Sequence, residues 1–170
     1  MTVPKKVTRN LAPRSLEHAP RQLLGVMVSS TFTDLERHRA TLIRSINGEP
    51  GLKAVVMEND SAKPGIDVIE SSLQMVQTSA AYIGVISLKY GQTPECGTRN
   101  PDKLSITELE FNEAQRLNRP ILLFIMGGKH RGQEADFESS ATKKKKLNAF
   151  RERAKVMGPD SKVHRVYASF

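Results

Sequence analysis

LLGVMVSSTFTDLER, residues 23–37, decides the fold. Residues 23–30 are a short apolar run with β-branched members, the pattern of a strand buried on both faces. Thr33-Asp34-Leu35-Glu36 follows and fits a capping box, in which a Thr hydroxyl and a Glu carboxylate satisfy free amides at a helix start. Leu35, Leu42, Ile43 and Ile46 then recur at helical spacing, and Gly48 and Pro50 stop the helix. A strand that runs straight into a helix is one βα unit.

The unit repeats along the chain. Ala54–Met57 reads as a second strand, and Pro64-Gly65 opens a helix with Ile66, Ile69, Leu73 and Val76 on one face. Ala80–Ser87 is a third strand, followed by the polar loop KYGQTPECGTRNPDKL. Ser105-Ile106-Thr107-Glu108 is a second capping box and starts a third helix. Ile121–Met126 is a fourth strand, residues 127–139 a polar loop, and residues 140–157 a helix led by Lys143–Lys146. Val163–Tyr167 is a fifth strand. Strict β-α alternation implies an α/β fold: a parallel sheet with helices on both faces. Five strands suit the flavodoxin-like order 2-1-3-4-5. Residues 1–21, basic, with three prolines and no periodicity, read as a flexible lead-in, which leaves 22–170 as one domain. No helix follows the fifth strand to cover its flank, so the sequence is expected to be the N-terminal part of a longer protein or a short version with that flank exposed.

Charge and composition narrow the function classes. The net charge is +8, but residues 23–142 carry 12 basic and 15 acidic residues, so the positive charge sits at the two ends. A folded reader of nucleic acid more often carries its basic residues on the body, interleaved with aromatics; nucleic acid is therefore the weakest expectation. The lone cysteine, Cys96, excludes an internal disulfide and a Cys-based zinc site. The four histidines are scattered without metal-ligand spacing, so no metal is expected. No run approaches the ~20 apolar residues of a membrane helix, and the N-terminus lacks the apolar run of a secretory signal. A cytoplasmic protein without a bound cofactor is the expectation. No P-loop, GxGxxG or GxSxG motif occurs.

Ligands of an open parallel sheet bind beyond the carboxyl ends of its strands, where the strand order switches. The residues expected there are Ser29, Ser30, Thr31 and Phe32 after the first strand, Glu58 after the second, Tyr90 and Gly91 after the third, and Thr107, Glu108 and Glu110 at the third helix. With Ile106 set at zero on a wheel of about 100° per residue, Glu110 falls at about 40° and Glu113 at about 340°, inside the stripe that holds Leu117, Leu109 and Ala114. Glu108 falls at about 200°, on the outer face, as a capping-box partner. A carboxylate on a buried face is costly unless it is paired or reaches a cleft. Glu110 is then either a structural carboxylate bonded near Ser29–Thr31 or a catalytic one, and Glu113 a core-edge residue paired with an Arg. Ser29-Ser30-Thr31 either turns the chain or binds an anion or sugar at a helix start. Glu58 is a surface residue or a ribose ligand. Tyr90-Gly91 is a turn with a packed ring or part of the pocket wall.

VMVSSTFTDLERHR, Met57-Glu58, YIGVISLKYG and SITELEFNEAQRLNRPILLF, in that order over roughly residues 24–126, resemble a TIR-like family of unsettled function. The resemblance implies an N-terminal domain ahead of a STAND-type NTPase or repeat module. Thr107-Glu108-Leu109-Glu110 with Ala114 and Pro120 is also similar to the nucleoside deoxyribosyltransferase pattern, which implies that Glu110 is the catalytic carboxylate. TIR domains that cleave NAD carry a glutamate on the corresponding helix. Both chemistries break an N-glycosidic bond through an oxocarbenium-like transition state. The first loop, SSTF, differs from the aromatic-rich nucleoside-binding segment of the transferases. The resemblance thus implies a nucleotide-binding effector or signalling domain that takes NAD or a related nucleotide as substrate, in a defence or signalling protein. The alternatives are a non-catalytic domain that self-associates into a homo-oligomer through its helices and sheet edge, and a domain that contacts nucleic acid through its basic ends.

Overall fold

The computed structural model describes residues 22–31, 34–57, 67–127 and 137–156, and the backbone of 163–168. The element order is β1 (Leu24–Ser30), α1 (Glu36–Gly48), β2 (Leu52–Val55), α2 (Val68–Thr78), β3 (Ala81–Ile86), α3 (Ile106–Arg116), β4 (Ile121–Met126), α4 (Ala141–Val156) and β5 (Val163–Ala168). The strands form one sheet in the order β2-β1-β3-β4-β5. Every pairing is parallel, with Val26 beside Ala54 and Ala81, Tyr82 beside Ile121, and Ile121 beside Val163.

Alternation along the strands divides the core in two. Met27, Tyr82, Ile86, Ile121, Leu123 and Ile125 face Met75 and Val76 of α2, Phe111 and Ala114 of α3, and Leu147, Phe150 and Ala154 of α4. On the opposite face Val26, Val28 and Ala54 pack against Ile46, Leu42 and Ile43 of α1. One helix therefore covers one face and three cover the other. Gly84 is fixed by this packing: a Cβ there would lie 2.7 Å from Leu123 Cδ2 and 2.9 Å from Tyr82 Cε1. Its missing side chain is the space in which the Tyr82 ring lies.

Two helix starts differ from the sequence expectation. The first half of the expected Thr33–Glu36 box, Thr33, lies outside the described residues. Leu35 takes the N-cap position of α1; leucine carries no acceptor, so there is no side-chain cap, and its side chain packs with Val85 and Met126 instead. Helix α2 begins at Val68 rather than at Pro64-Gly65: the Asp67 carboxylate accepts from the Glu70 amide at 2.8 Å and sets the start. Pro64, Gly65 and Ile66 lie outside the described residues.

Helix α3 is buried over far more of its circumference than one stripe. Ile106, Thr107, Glu108, Glu110, Phe111, Glu113 and Ala114 are all buried. Glu108, expected on the outer face, is only 7% exposed. The reason is α4, which lies beside α3 on the same face of the sheet: its Arg153 pairs with the Glu108 carboxylate and stacks over Phe111 and Phe150, so the flank of α3 toward α4 is covered too. The wheel read one buried face where the packing makes two.

Candidate active site

A cleft of about 810 Å³ opens at the carboxyl end of the sheet, within the range of roughly 300–1,000 Å³ usual for ligand sites. It lies where β1 and β3 part, the switch point of this strand order. Ser29 and Ser30 from the end of β1 and Thr31 just after it line the cleft, with Ile106, Thr107 and Glu110 from the start of α3.

Glu110 is 3% exposed and sits one turn into α3. Ser105 fixes that turn by accepting from the Glu108 amide at 3.2 Å. The Ser29 hydroxyl donates to Glu110 Oε2. Below them the Tyr82 hydroxyl approaches the Thr107 carbonyl at 3.5 Å. Burial holds the Tyr82 phenol well above its ordinary pKa, and the nearby Glu110 charge adds to this, while a hydrogen bond with Ser29 partly offsets it. Tyr82 therefore stays a neutral donor. The floor of the cleft is a buried carboxylate held by a hydroxyl, on an apolar bed that strengthens its field.

The walls interlock. Thr31 Oγ1 lies 2.9 Å from Ser87 Oγ and also donates to Asp34. Gly91 has a positive φ of 86°, and a Cβ there would sit 2.9 Å from Thr31 Cγ2, so β1 and the segment after β3 close on each other only with glycine at 91. Glu138 accepts from the Tyr90 and Ser140 amides, both at 3.1 Å. Lys143 donates to the Gly91 carbonyl at 3.0 Å. The start of α4 thereby fixes one side of the cleft.

Of the residues expected at the site, Ser29, Ser30, Thr31, Gly91, Thr107 and Glu110 come together in this cleft. Phe32 and Glu58 lie outside the described residues. Tyr90 is not among the lining residues. Its ring is 1% exposed and its hydroxyl donates to Glu108 Oε2 at 2.6 Å, so it packs behind the wall rather than in it. Burial and that bond push the Tyr90 phenol well up. Glu113 also stands apart from the cleft. Its carboxylate accepts from Arg116 Nε and Nη2 at 2.7 Å and from Gln77 at 2.9 Å, and the Arg116 guanidinium holds it below the usual carboxylate range.

Sequence reasoning missed Arg39, Met57, Lys89, Phe137 and Lys143, all of which line the cleft. Arg39 was legible. It falls on the α1 stripe with Leu35, Leu42 and Ile46, and a cation on an apolar stripe carries the same signal that singled out Glu110. It is 5% exposed, and Nη1 donates to Ser30 Oγ at 2.8 Å. The other four lie in loops or a lysine run that has no period to read. Among the described residues, no group of three or more His, Cys, Asp or Glu can hold a metal, and no helix is long and apolar enough to cross a membrane.

Residues 25–168 match the family described as Domain of unknown function (DUF4062), and the chain belongs to that family. No curated protein is significantly similar to it. Among solved structures it is similar to a 2-desoxiribosyltransferase from Leishmania mexicana, at 15% identity over 63% of this chain and 67% of that one, with a TM-score of 0.45. A CMP N-glycosidase from Clostridium botulinum is similar at 10% identity over 86% and 89% of the two chains, with a TM-score of 0.46. A prokaryotic SEFIR domain is similar at 13% identity over 80% and 94%, with a TM-score of 0.43.

Proposed function

We propose that this member of a family of unknown function is a nucleotide-binding effector or signalling domain that cleaves the N-glycosidic bond of NAD or a related nucleotide, with Glu110 as the reacting carboxylate. The observation that carries the reading is the placement of Glu110: a buried carboxylate at the strand-switch cleft, oriented by Ser29. The similarity of the Thr107–Glu110 segment to the deoxyribosyltransferase pattern supports the same residue.

The chemistry follows from that position. As the bond between C1′ of the ribose and the base nitrogen breaks, its electron pair leaves with the base: nicotinamide departs neutral from its pyridinium form, whereas the base of a nucleoside monophosphate takes up a proton from solvent. Positive charge develops at C1′ and the ring oxygen. The Glu110 carboxylate stabilises it or forms an ester at C1′. A water then attacks C1′, giving up a proton to solvent and breaking the C1′–carboxylate bond where an ester has formed, which releases free sugar phosphate, or ADP-ribose when NAD is the substrate. Ser29 holds the carboxylate from β1 and orients it toward the cleft. Ser30 and Thr31 supply hydroxyls for ribose or phosphate.

The test is release of nicotinamide or free base, followed by chromatography, from NAD and the four common ribonucleoside 5′-monophosphates. Wild type should release base, and Glu110→Gln, with an unchanged far-UV spectrum, should not. Equal release by both proteins would remove Glu110 from the mechanism.

A second reading, self-association without catalysis, has one observation in its favour. On the α1 face of the sheet Ile83, Leu122 and Phe124 are only half-buried, whereas Ile121, Leu123 and Ile125 on the opposite face are buried. Sedimentation of wild type beside Leu122→Lys separates this reading from the first: a dimer that dissociates in the variant while base release stays absent throughout favours it.

A further inference from the structure

We propose that the cleft contains a phosphate subsite built by Lys89 and Lys143, so that the ligand is a nucleoside carrying a 5′-phosphate or pyrophosphate rather than a bare nucleoside. This rests on the N-glycosidic reading above and names its substrate class.

The argument starts from the charges that line the cleft. Three cations, Arg39, Lys89 and Lys143, face two anions, Glu110 and Glu138. Both anions are already engaged, Glu110 by the Ser29 hydroxyl and Glu138 by the Tyr90 and Ser140 amides. Among the described residues neither Lys89 nor Lys143 forms an ion pair. Two half-buried lysines thus share one concavity without a carboxylate paired to either, and a dianionic ligand supplies the charge-assisted partner that both lack.

Geometry places them on one wall. Lys89 directly follows the turn in which its own amide donates to Ser87 Oγ at 3.1 Å. Lys143 spends one of its three N–H donors on the Gly91 carbonyl, two residues beyond Lys89, and keeps two for a ligand. That contact brings α4 against the segment that carries Lys89. Gly91, with its positive φ, lets the segment close against Thr31 and sets the lysine wall beside the Ser29–Thr31 hydroxyls. Charge on a low-dielectric wall focuses on whatever enters the cleft. Anchoring a phosphate at this end holds the remote part of the ligand while its anomeric carbon meets Glu110, binding energy used to position the reacting bond.

The experiment measures equilibrium binding by calorimetry to the full chain carrying Glu110→Gln, which removes turnover. The probes are the four common ribonucleosides, their 5′-monophosphates and NAD. At least one 5′-monophosphate should bind about ten-fold or more tightly than its nucleoside, and raising salt from about 0.05 to 0.5 M should erode that advantage. In the same background Lys89→Met and Lys143→Met should each reduce the advantage to about two-fold or less. Lys89→Met is the decisive variant, because the Lys143 side chain also holds Gly91 in place. Equal affinity for nucleoside and nucleotide, an advantage that survives both substitutions, or no binding of either class would overturn the subsite. Base release by wild type from an unphosphorylated nucleoside would then leave the glycosidic reading standing. A lysine-dependent phosphate advantage without base release from any probe would keep the subsite and remove the glycosidic reading.

Discussion

Ser29 and Glu110 lie 81 residues apart in the chain and share a buried hydrogen bond, with the hydroxyl as donor and the carboxylate as acceptor. β1 supplies one partner and α3 the other, so the bond exists only once the sheet has brought its strand ends together. A carboxylate this deep is expensive in water-poor surroundings, and each donor it accepts offsets part of that cost.

Ser29→Ala should therefore cost more than a lost neutral hydrogen bond. It removes a donor from a buried charge, so about 1–3 kcal/mol of stability should go, read from urea unfolding. In a Glu110→Gln background the same change should cost less, because a neutral amide tolerates a missing donor better. A coupling below about 0.5 kcal/mol between the two substitutions would mean that Ser29 does not sense the carboxylate.

The α/β frame and the inward face of Glu110 were legible because both are local. The period of two in the strands and the position of Glu110 on a helical stripe need no knowledge of neighbours. Glu108 was not legible. Its wheel position is correct, yet α4 packs on the sheet beside α3 and covers that flank with Arg153, and nothing in residues 105–117 encodes that contact. Tyr90 could be read as a packed ring or as pocket wall, and the choice rests on a distant contact as well: its hydroxyl donates to Glu108, and its ring is buried behind the wall. Arg39 was available and overlooked, since the rule that found Glu110 applies equally to a cation on the stripe of α1.

Gly84→Ala should disturb the core and the site together. Its Cβ would meet Leu123 Cδ2 at 2.7 Å and Tyr82 Cε1 at 2.9 Å, too close for either to stay. Overpacking of this kind costs about 1–3 kcal/mol. The displaced Tyr82 ring should carry its hydroxyl away from Ser29 and Thr107. Thermal unfolding should show the loss, and Gly84→Ala should cost less in a Tyr82→Ala background than in the wild type, because the space is then clear. No destabilisation would mean that the ring has room to move.

Stability should fall in alkali for a reason tied to two named phenols. Tyr82 and Tyr90 are both held above the ordinary tyrosine pKa, chiefly by burial, and in each a nearby carboxylate adds to the rise. The unfolded chain releases these protons near about pH 10, while the folded chain keeps them. Their contribution is therefore whole below about pH 10 and is lost as pH climbs from there toward the folded values. Urea midpoints at about pH 9 and pH 11 should differ, with the slope shallower in Tyr82→Phe and Tyr90→Phe. A slope unchanged in both variants would assign the alkaline loss to other groups.

Arg153 and Glu108 should be unequal partners. Glu108 is buried and Arg153 is 45% exposed, with its guanidinium 5.6 Å from the Phe150 ring and 5.9 Å from the Phe111 ring. Arg153→Met retains much of the apolar stem but strands a buried carboxylate with only the Tyr90 hydroxyl at 2.6 Å, for about 1–3 kcal/mol, below the usual cost of a broken buried pair because one partner is wet. Glu108→Gln keeps the Tyr90 bond and frees an exposed cation that water solvates, so it should cost less. The double substitution should be nearly as stable as Glu108→Gln alone, since the stranded charge is gone. Chemical denaturation of the four proteins closes the cycle, and strictly additive losses would show that the pair contributes no coupling between α3 and α4.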